Sequence, residues 1–521
     1  MKEQKIDKKQ KKHRDRLFLS KLLIVGLLLV VQIVVILVLT IELGAYYAYA
    51  QAFFTAISLA VVIYIINKSD NPAYKLAWVV PILLFPIFGG VFYLAIAGNR
   101  STNHFVRKVE ESIVDSWQFL IPQQQVEAEL EQESKNASLQ SQYIQQYAKY
   151  PVYRNTEMEY YPLGDDNMEP LLEELRKAKR YIFMEYFIIR EGHFWHSVLE
   201  ILEQKVKEGV DVRLLFDDFG CVATIPSDYE KKIRDKGIKC YSFNRFIPVL
   251  TLRLNNRDHR KITVIDGHTG FTGGINLGDE YINRTAPYGH WKDTGVMLKG
   301  DAVWSLTVMF LQLWGYASGT TEDYELYRAE EDTLAGIQND GYVQPYSDSP
   351  LDQEIVGENI YLNMINRAQK SIFIITPYLV LDNEMTTALL LAAKSGVDVR
   401  IVIPGIPDKR VVYTLTEANC GPLLENGIKV YKYTPGFTHA KVVLVDDEIA
   451  TVGTVNFDYR SLYLHFECGV WMYKTKIVAD IRRDFEETIE KCERYTYESY
   501  SRVSHFVKLK RAILKVVAPL L

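Results

Sequence analysis

Hydrophobic and polar positions divide the chain into three regimes. The first holds long apolar runs at about residues 22–41, 45–66 and 76–97. The run Leu22–Ile41 is interrupted only by Gly26, Gln32 and Thr40, and its length matches a membrane-spanning helix of about 30 Å. A cleaved signal peptide fits less well, because the apolar core is long and no small-x-small site precedes the next run. The third run contains Pro81, Pro86, Gly89 and Gly90, residues that kink a helix or turn it back. Residues 1–100 are therefore expected to be a membrane region with two or three hydrophobic segments. Which side the remainder faces stays open. Lys2 to Arg16 and Arg100, Arg107 and Lys108 favour the cytoplasm as their location.

The second regime, residues 101–154, is polar and Gln-rich with weak helical periodicity, and it predicts a helical connector. The third alternates strand and helix. Residues 181–189 and 210–216 read as strands, and 238–243 as a third. Amphipathic stretches at 197–208 and 229–236, stopped at Gly209 and Gly237, separate them. This β-α-β-α order predicts an α/β fold with helices flanking a sheet.

The same order then recurs. Gly209-Val-Asp-Val-Arg213 returns as Gly396-Val-Asp-Val-Arg400, and Lys236-Gly-Ile-Lys-Cys-Tyr241 as Asn426-Gly-Ile-Lys-Val-Tyr431. His259-Arg-Lys261 with Asp266 returns as His439-Ala-Lys441 with Asp446, and Gly273-Gly-Ile-Asn276 as Gly453-Thr-Val-Asn456. A period of roughly 190 residues is too long for a solenoid. It indicates a duplicated domain, with halves at 155–335 and 345–500. The tail 501–521 places Phe506, Leu509, Ile513 and Val516 on one helical side and Lys508, Arg511 and Lys515 on another. It suits an anionic membrane surface, or docks on the domain by its apolar side.

Composition narrows the chemistry. The net charge is −5, so bulk charge gives no case for nucleic acid, although the two ends are basic. The five cysteines are scattered without a C-x-x-C, which predicts free thiols rather than a disulfide framework or a zinc site. No G-x-x-x-x-G-K-[ST] loop is present.

Duplication brings two imidazoles, two ammonium groups and two carboxamides to one pocket: His259, Lys261 and Asn276 opposite His439, Lys441 and Asn456. The lysines and asparagines can hold the non-bridging oxygens of a phosphodiester without a metal. One neutral histidine can attack phosphorus, while the other, protonated, serves the leaving alkoxide and then the incoming alcohol. Free histidine titrates near pH 6.5, so the two environments must differ. Aligning the halves pairs Asp293 with Glu467, and these are expected to hold the ring N–H groups of the histidines. Asp266 and Asp446, at strand ends before turns, join the candidate catalytic set, with fixing of the local turn as the alternative. His268, His290 and His465 lack counterparts and are expected to be surface or packing residues.

The two H-x-K-x4-D motifs with downstream G-[GT]-x-N resemble the phospholipase D superfamily. Pro81, Pro86, Gly89, Tyr93 and Gly98, then Asn256-Arg-Asp-His-Arg-Lys261, Gly273 to Tyr281 and Asn456-Phe-Asp-Tyr-Arg-Ser461 are similar to bacterial cardiolipin synthases. The resemblance covers about residues 45–500. The apolar run at 22–41 departs from it, and Gly274 and Thr454 stand where the superfamily often has Ser. It implies two phospholipase D-like domains in a pseudo-twofold pair behind N-terminal transmembrane helices, in a multi-pass protein of a bacterial cell membrane. It also implies that one phosphatidylglycerol gives its phosphatidyl group to another, releasing glycerol, with no cofactor and with anionic membrane lipids as partners. By resemblance His259 is the nucleophile. A phospholipase D-type hydrolase, a membrane-anchored nuclease and a non-catalytic lipid-binding scaffold are the alternatives.

Overall fold

The computed structural model describes residues 44–68, 71–85, 89–90, 93–94, 100–245, 256–338 and 341–520. The apolar run at 22–41 and parts of the run at 76–97 lie outside the described residues. Those described form two compact units, one holding the residues up to 104 and from 516 onward, the other 105–247 and 255–515.

In the first unit, the helices Gly44–Ile66 and Pro72–Leu84 follow one another across a short polar turn. Asn71 starts the second by accepting a hydrogen bond from the Ala73 N–H, and Pro72 occupies the first turn, where no N–H is needed. Val61, Val62, Ile65 and Ile82 pack with Tyr93. Much of the remaining apolar surface is uncovered, including Phe53, Leu59, Ile63, Leu83 and Leu84. Among the described residues no helix is long and apolar enough to cross a membrane.

The second unit is a pair of α/β halves. The first half carries a seven-stranded sheet in the order β1 (Thr156–Tyr161), β9 (Gly295–Gly300), β7 (Thr269–Gly273), β6 (Lys261–Ile265), β2 (Tyr181–Tyr186), β3 (Asp211–Asp217), β4 (Lys239–Phe243). The second repeats it as β10 (Tyr342–Asp348), β17 (His465–Tyr473), β16 (Ile449–Gly453), β15 (Val442–Val445), β11 (Ser371–Ile375), β12 (Asp398–Pro404), β13 (Lys429–Tyr433), and adds β18 (Cys492–Tyr495) at the edge. In each half the βαβ strands pair in parallel and the strand after the histidine runs antiparallel to the first of them. β6 and β15 are buried along their whole length, and β15 is accordingly apolar throughout while β6 is interrupted only by Lys261 and Thr263.

Short sequence repeats do the same physical work in both halves. Gly209 and Gly396 have φ of +89° and +96°, the left-handed turn that ends a helix. Four residues on, Arg213 and Arg400 bond Asp211 and Asp398, and their guanidinium groups lie 5.0 and 5.1 Å from the rings of Phe183 and Phe373. Between the sheets runs the helix Val303–Ser318, buried from Val303 through Trp314. Phe310 on it stacks on Phe183 at 4.6 Å. One apolar cluster thus continues from β2 and β6 through this helix into β11, β15 and β17. The Gln-rich stretch is helical at Gln124–Glu133 and Lys135–Tyr143, and Gln140 accepts from the Trp471 indole N–H. All five cysteines are free thiols.

Asp266 and Asp446 mark the turns that close β6 and β15. Both have left-handed φ, +51° and +55°. The Asp266 carboxylate accepts the backbone N–H groups of Lys179, Arg180 and Tyr181, and that of Asp446 accepts those of Gln369, Lys370 and Ser371. Replacing either by Ala orphans three N–H groups. Each change should lower the unfolding free energy by about 2–3 kcal/mol in urea denaturation. The folded fraction should keep its turnover, whereas loss of turnover without loss of stability would return these aspartates to the reaction.

Candidate active site

The two histidines sit where the halves exchange backbone. Ahead of His259, β5 (Arg257–Asp258) runs parallel to the start of β17 in the other half, and the His259 N–H donates to the Phe466 carbonyl at 2.9 Å. Ahead of His439, β14 (Gly436–Thr438) runs parallel to β8 (His290–Lys292), and the His439 N–H donates to the Lys292 carbonyl. The same register seats each histidine beside the carboxylate of the opposite half. His259 Nδ1 is 3.0 Å from both oxygens of Glu467, and His439 Nδ1 is 2.6 Å from Asp293 Oδ2. A carboxylate on Nδ1 fixes the tautomer and leaves Nε2 with its lone pair free.

The carboxylates are held differently. Glu467 accepts from the hydroxyls of Thr454 and Ser461 as well as from His259. Asp293 accepts from the Thr294 N–H, and a Cβ on Gly274 would lie 2.0 Å from its Oδ1. The G-G and G-T variants of the repeated motif therefore have separate reasons. Glycine makes room for one carboxylate, and threonine supplies a donor to the other.

Lys261 and Lys441 point their ammonium groups at the carbonyls of His259 and His439, and Lys441 Nζ also lies 2.9 Å from His439 Nδ1. Asn276 is already engaged: its oxygen accepts from the Ile188 N–H and its amide donates to the Tyr281 hydroxyl. The Asn456 backbone N–H donates to Ser461 Oγ, while its side-chain oxygen is buried without a hydrogen-bond partner. The structure thus brings His259, Lys261, His439, Lys441, Asp293 and Glu467 together. It does not bring Asp266 and Asp446 to them, because these lie at the far ends of β6 and β15, committed to backbone N–H groups.

Burial dominates the electrostatics. It drives the His259 imidazole well below its ordinary value, reinforced by Lys261, Lys441 and His439. It also lowers His439, to about 4, with Lys441 adding to the shift and Asp293 opposing it. Desolvation brings Lys261 down to about 8 against the pull of Glu467, and Lys441 to about 7 against that of Asp293. Asp293 resists burial, since the charges of His439 and Lys441 hold its carboxyl below the usual range. A concentration of buried donors that lack a full complement of negative charge is a pocket prepared for an anion.

Two further rings complete the pocket. His465, expected to be a packing residue, has its ring 5.5 Å from that of His259, with Phe187 against both. Trp291 occupies the equivalent place in the other half, 5.5 Å from the His439 ring. The nitrogens of both rings are buried without a hydrogen-bond partner. Each residue stands two positions before its carboxylate, so the alignment that paired Asp293 with Glu467 carried the signal. It was hidden because the two residues differ in type.

Fold and site together define a duplicated phospholipase D-like architecture. The family model described as "Cardiolipin synthase, PLD-like domain" matches residues 171–299 and 361–489, and one described as "Phospholipase D-nuclease N-terminal" matches 56–98. A cardiolipin synthase of Alkalihalophilus pseudofirmus is 34 % identical over 90 % of this chain and 92 % of its own length. One from Geobacillus sp. is 35 % identical over 90 % of this chain and 92 % of its own length. The chain belongs to the cardiolipin synthase family. The crystal structure of phosphatidylserine synthase from Haemophilus influenzae shares the fold, with a TM-score of 0.57, 15 % identity, and coverage of 73 % of this chain and 97 % of that one.

The depressed histidines link stability to pH. Because folded His439 holds its proton less tightly than the unfolded chain does, stability is complete above pH 6.5 and falls as pH drops toward 4. Between pH 7 and 4 the protein should lose about 3 kcal/mol more than a His439→Gln variant in denaturant titrations. Equal losses would place the imidazole in an ordinary environment.

Proposed function

We propose that this chain is a cardiolipin synthase: it transfers the phosphatidyl group of one phosphatidylglycerol to the terminal hydroxyl of a second and releases glycerol. The observation that carries this reading is the crossed pair His259–Glu467 and His439–Asp293 in one buried, cationic pocket, in a chain of this family. A phosphodiester entering the pocket meets Lys261 and Lys441, which neutralise its non-bridging oxygens. His259 Nε2 attacks phosphorus, forming an N–P bond as the P–O bond to glycerol breaks. His439 gives its proton to that oxygen. The hydroxyl of the second phosphatidylglycerol then passes its proton to His439 and attacks the phosphohistidine, which restores His259. One phosphodiester is exchanged for another, so no nucleotide is consumed.

The leading influences on His259 all act against its proton, whereas Asp293 favours that of His439 by charge and by hydrogen bond. Each histidine has a carboxylate on Nδ1, so the choice of His259 as nucleophile follows the resemblance, with Asp293 favouring the proton of His439 as the acid. The side-chain oxygen of Asn456 needs a donor, and the acceptor headgroup's second hydroxyl, the one that does not attack, offers one.

The domain limits 155–335 and 345–500 belong to the same reading, supported by the matched segments that fall within them. So does a multi-pass membrane location. Its support is the exposed Phe53, Leu59, Ile63, Leu83 and Leu84 of the N-terminal helices. The terminal helix His505–Val517 leaves Phe506, Leu509 and Ile513 exposed, while Arg511 on another side bonds Glu417 and the Tyr500 carbonyl. Its apolar side is thus available to an anionic bilayer.

With pure phosphatidylglycerol in mixed micelles, the full chain should yield a four-chain lipid and free glycerol. His259→Ala and His439→Ala should each cut the rate by at least about a thousandfold. Phosphatidic acid as the main product would make the protein a hydrolase, and product from either variant would exclude this mechanism. On the alkaline side, kcat/KM should fall above about pH 7–8 as Lys441 and Lys261 lose their protons. Lys441→Arg, which keeps its charge, should move that limb upward, and an unmoved limb would assign it to another group.

A further inference from the structure

His465 is not used by the reaction, yet it is placed with two residues that are. Its side chain is 10 % exposed, and neither ring nitrogen has a hydrogen-bond partner. Nδ1 stands 3.7 Å from Glu467 Oε1, beyond hydrogen-bonding distance. His259 Nδ1 lies 3.0 Å from the same carboxylate. One ligand atom from each of His259, His465 and Glu467 falls within 4.8 Å of the others. Two imidazole nitrogens and a carboxylate oxygen at such separations need only small side-chain shifts to surround one ion.

We propose that His259, His465 and Glu467 form a site for a divalent transition-metal ion of the zinc class, and that its occupancy stops turnover. The donor set is the two-histidine, one-carboxylate combination that zinc accepts with a fourth position left open. Imidazole nitrogens suit zinc, copper and nickel, whereas magnesium and calcium require oxygen ligands. Among the described residues, the equivalent place in the other half lacks this donor set. At the equivalent position, Trp291 presents an indole N–H, which donates and cannot ligate.

The block follows from the tautomer. With Glu467 accepting the Nδ1 proton, His259 offers its Nε2 lone pair to phosphorus. An ion on Nδ1 takes the place of that proton, and the neutral ring then carries its hydrogen on Nε2. The lone pair needed for attack is gone, and Glu467 is turned from orienting the ring to holding the ion. This part rests on His259 being the nucleophile, whereas binding of the ion does not.

The test uses the full chain in detergent micelles, with Co2+ as a spectroscopic probe and Zn2+ as its competitor. One equivalent of Co2+ should produce a visible absorption band, Zn2+ should abolish it, and Mg2+ should leave it unchanged. In the lipid assay Zn2+ should inhibit at the midpoint found by Co2+ displacement, each protein being compared with its own metal-free rate. His465→Asn and His465→Gln, checked for native thermal unfolding, should raise both midpoints at least about tenfold. Trp291→Phe should leave the Co2+ midpoint unmoved. No saturable Co2+ band in the native chain, or equal midpoints in the native and His465 proteins, would overturn the site. A normal Co2+ titration in a protein that makes no four-chain lipid would instead count against the proposed reaction alone.

Discussion

Two backbone hydrogen bonds, His259 N–H to Phe466 and His439 N–H to Lys292, hold the rest of the site in place. Each is the end of a short parallel pairing in which a strand leaves its own half and joins the other. Strand register advances in fixed steps, so once Arg257 is paired with His465, the position of His259 relative to Glu467 is set. The second exchange sets His439 against Asp293 in the same way. Neither His259 nor His439 takes its carboxylate from its own half, and the shared helix Val303–Ser318 with its continuous apolar cluster joins the two sheets.

That arrangement concentrates ionisable groups where water is scarce. Two histidines, two lysines and two carboxylates are buried together, and the lysine and imidazole protons are all loosened by desolvation. An incoming phosphodiester supplies the missing negative charge and makes the protonated forms favourable again. In the proposed reaction the same burial would keep water from competing with a lipid alcohol for the phosphohistidine. The electrostatic cost of burying these cations is one that the anionic substrate of the proposed reaction would offset.

Much of this was legible in residue order. The repeat of Gly-Val-Asp-Val-Arg announces a turn, a strand and an arginine laid over an aromatic ring, and both copies do that. The H-x-K spacing puts two side chains on one face of an extended chain, and the pairing of Asp293 with Glu467 emerged from alignment alone. Other features were not legible. Asp266 and Asp446 share the motif with the histidines, yet a whole buried strand separates them from the pocket, and three backbone N–H groups claim each carboxylate. A motif records which residues accompany one another, not which end of a strand they occupy. Asn276 was expected to face phosphate, and residue order did not show that one of its two amide hydrogens goes to Tyr281, five residues on. His465 was set aside for want of a histidine counterpart, and the ring positions in space show what stands there instead, a tryptophan two residues before the other carboxylate.

The sequence by itself determined the duplication, the α/β order of each half and the chemical inventory of the pocket. These follow from periodicity, turn residues and side-chain type, which are local properties. The tertiary structure decided the pairing: Glu467 serves His259 and Asp293 serves His439, each across the boundary between halves. It also decided which of the repeated carboxylates hold turns and which hold imidazoles. These are long-range facts, because strand exchange joins residues about 200 positions apart through backbone bonds that carry no side-chain signature.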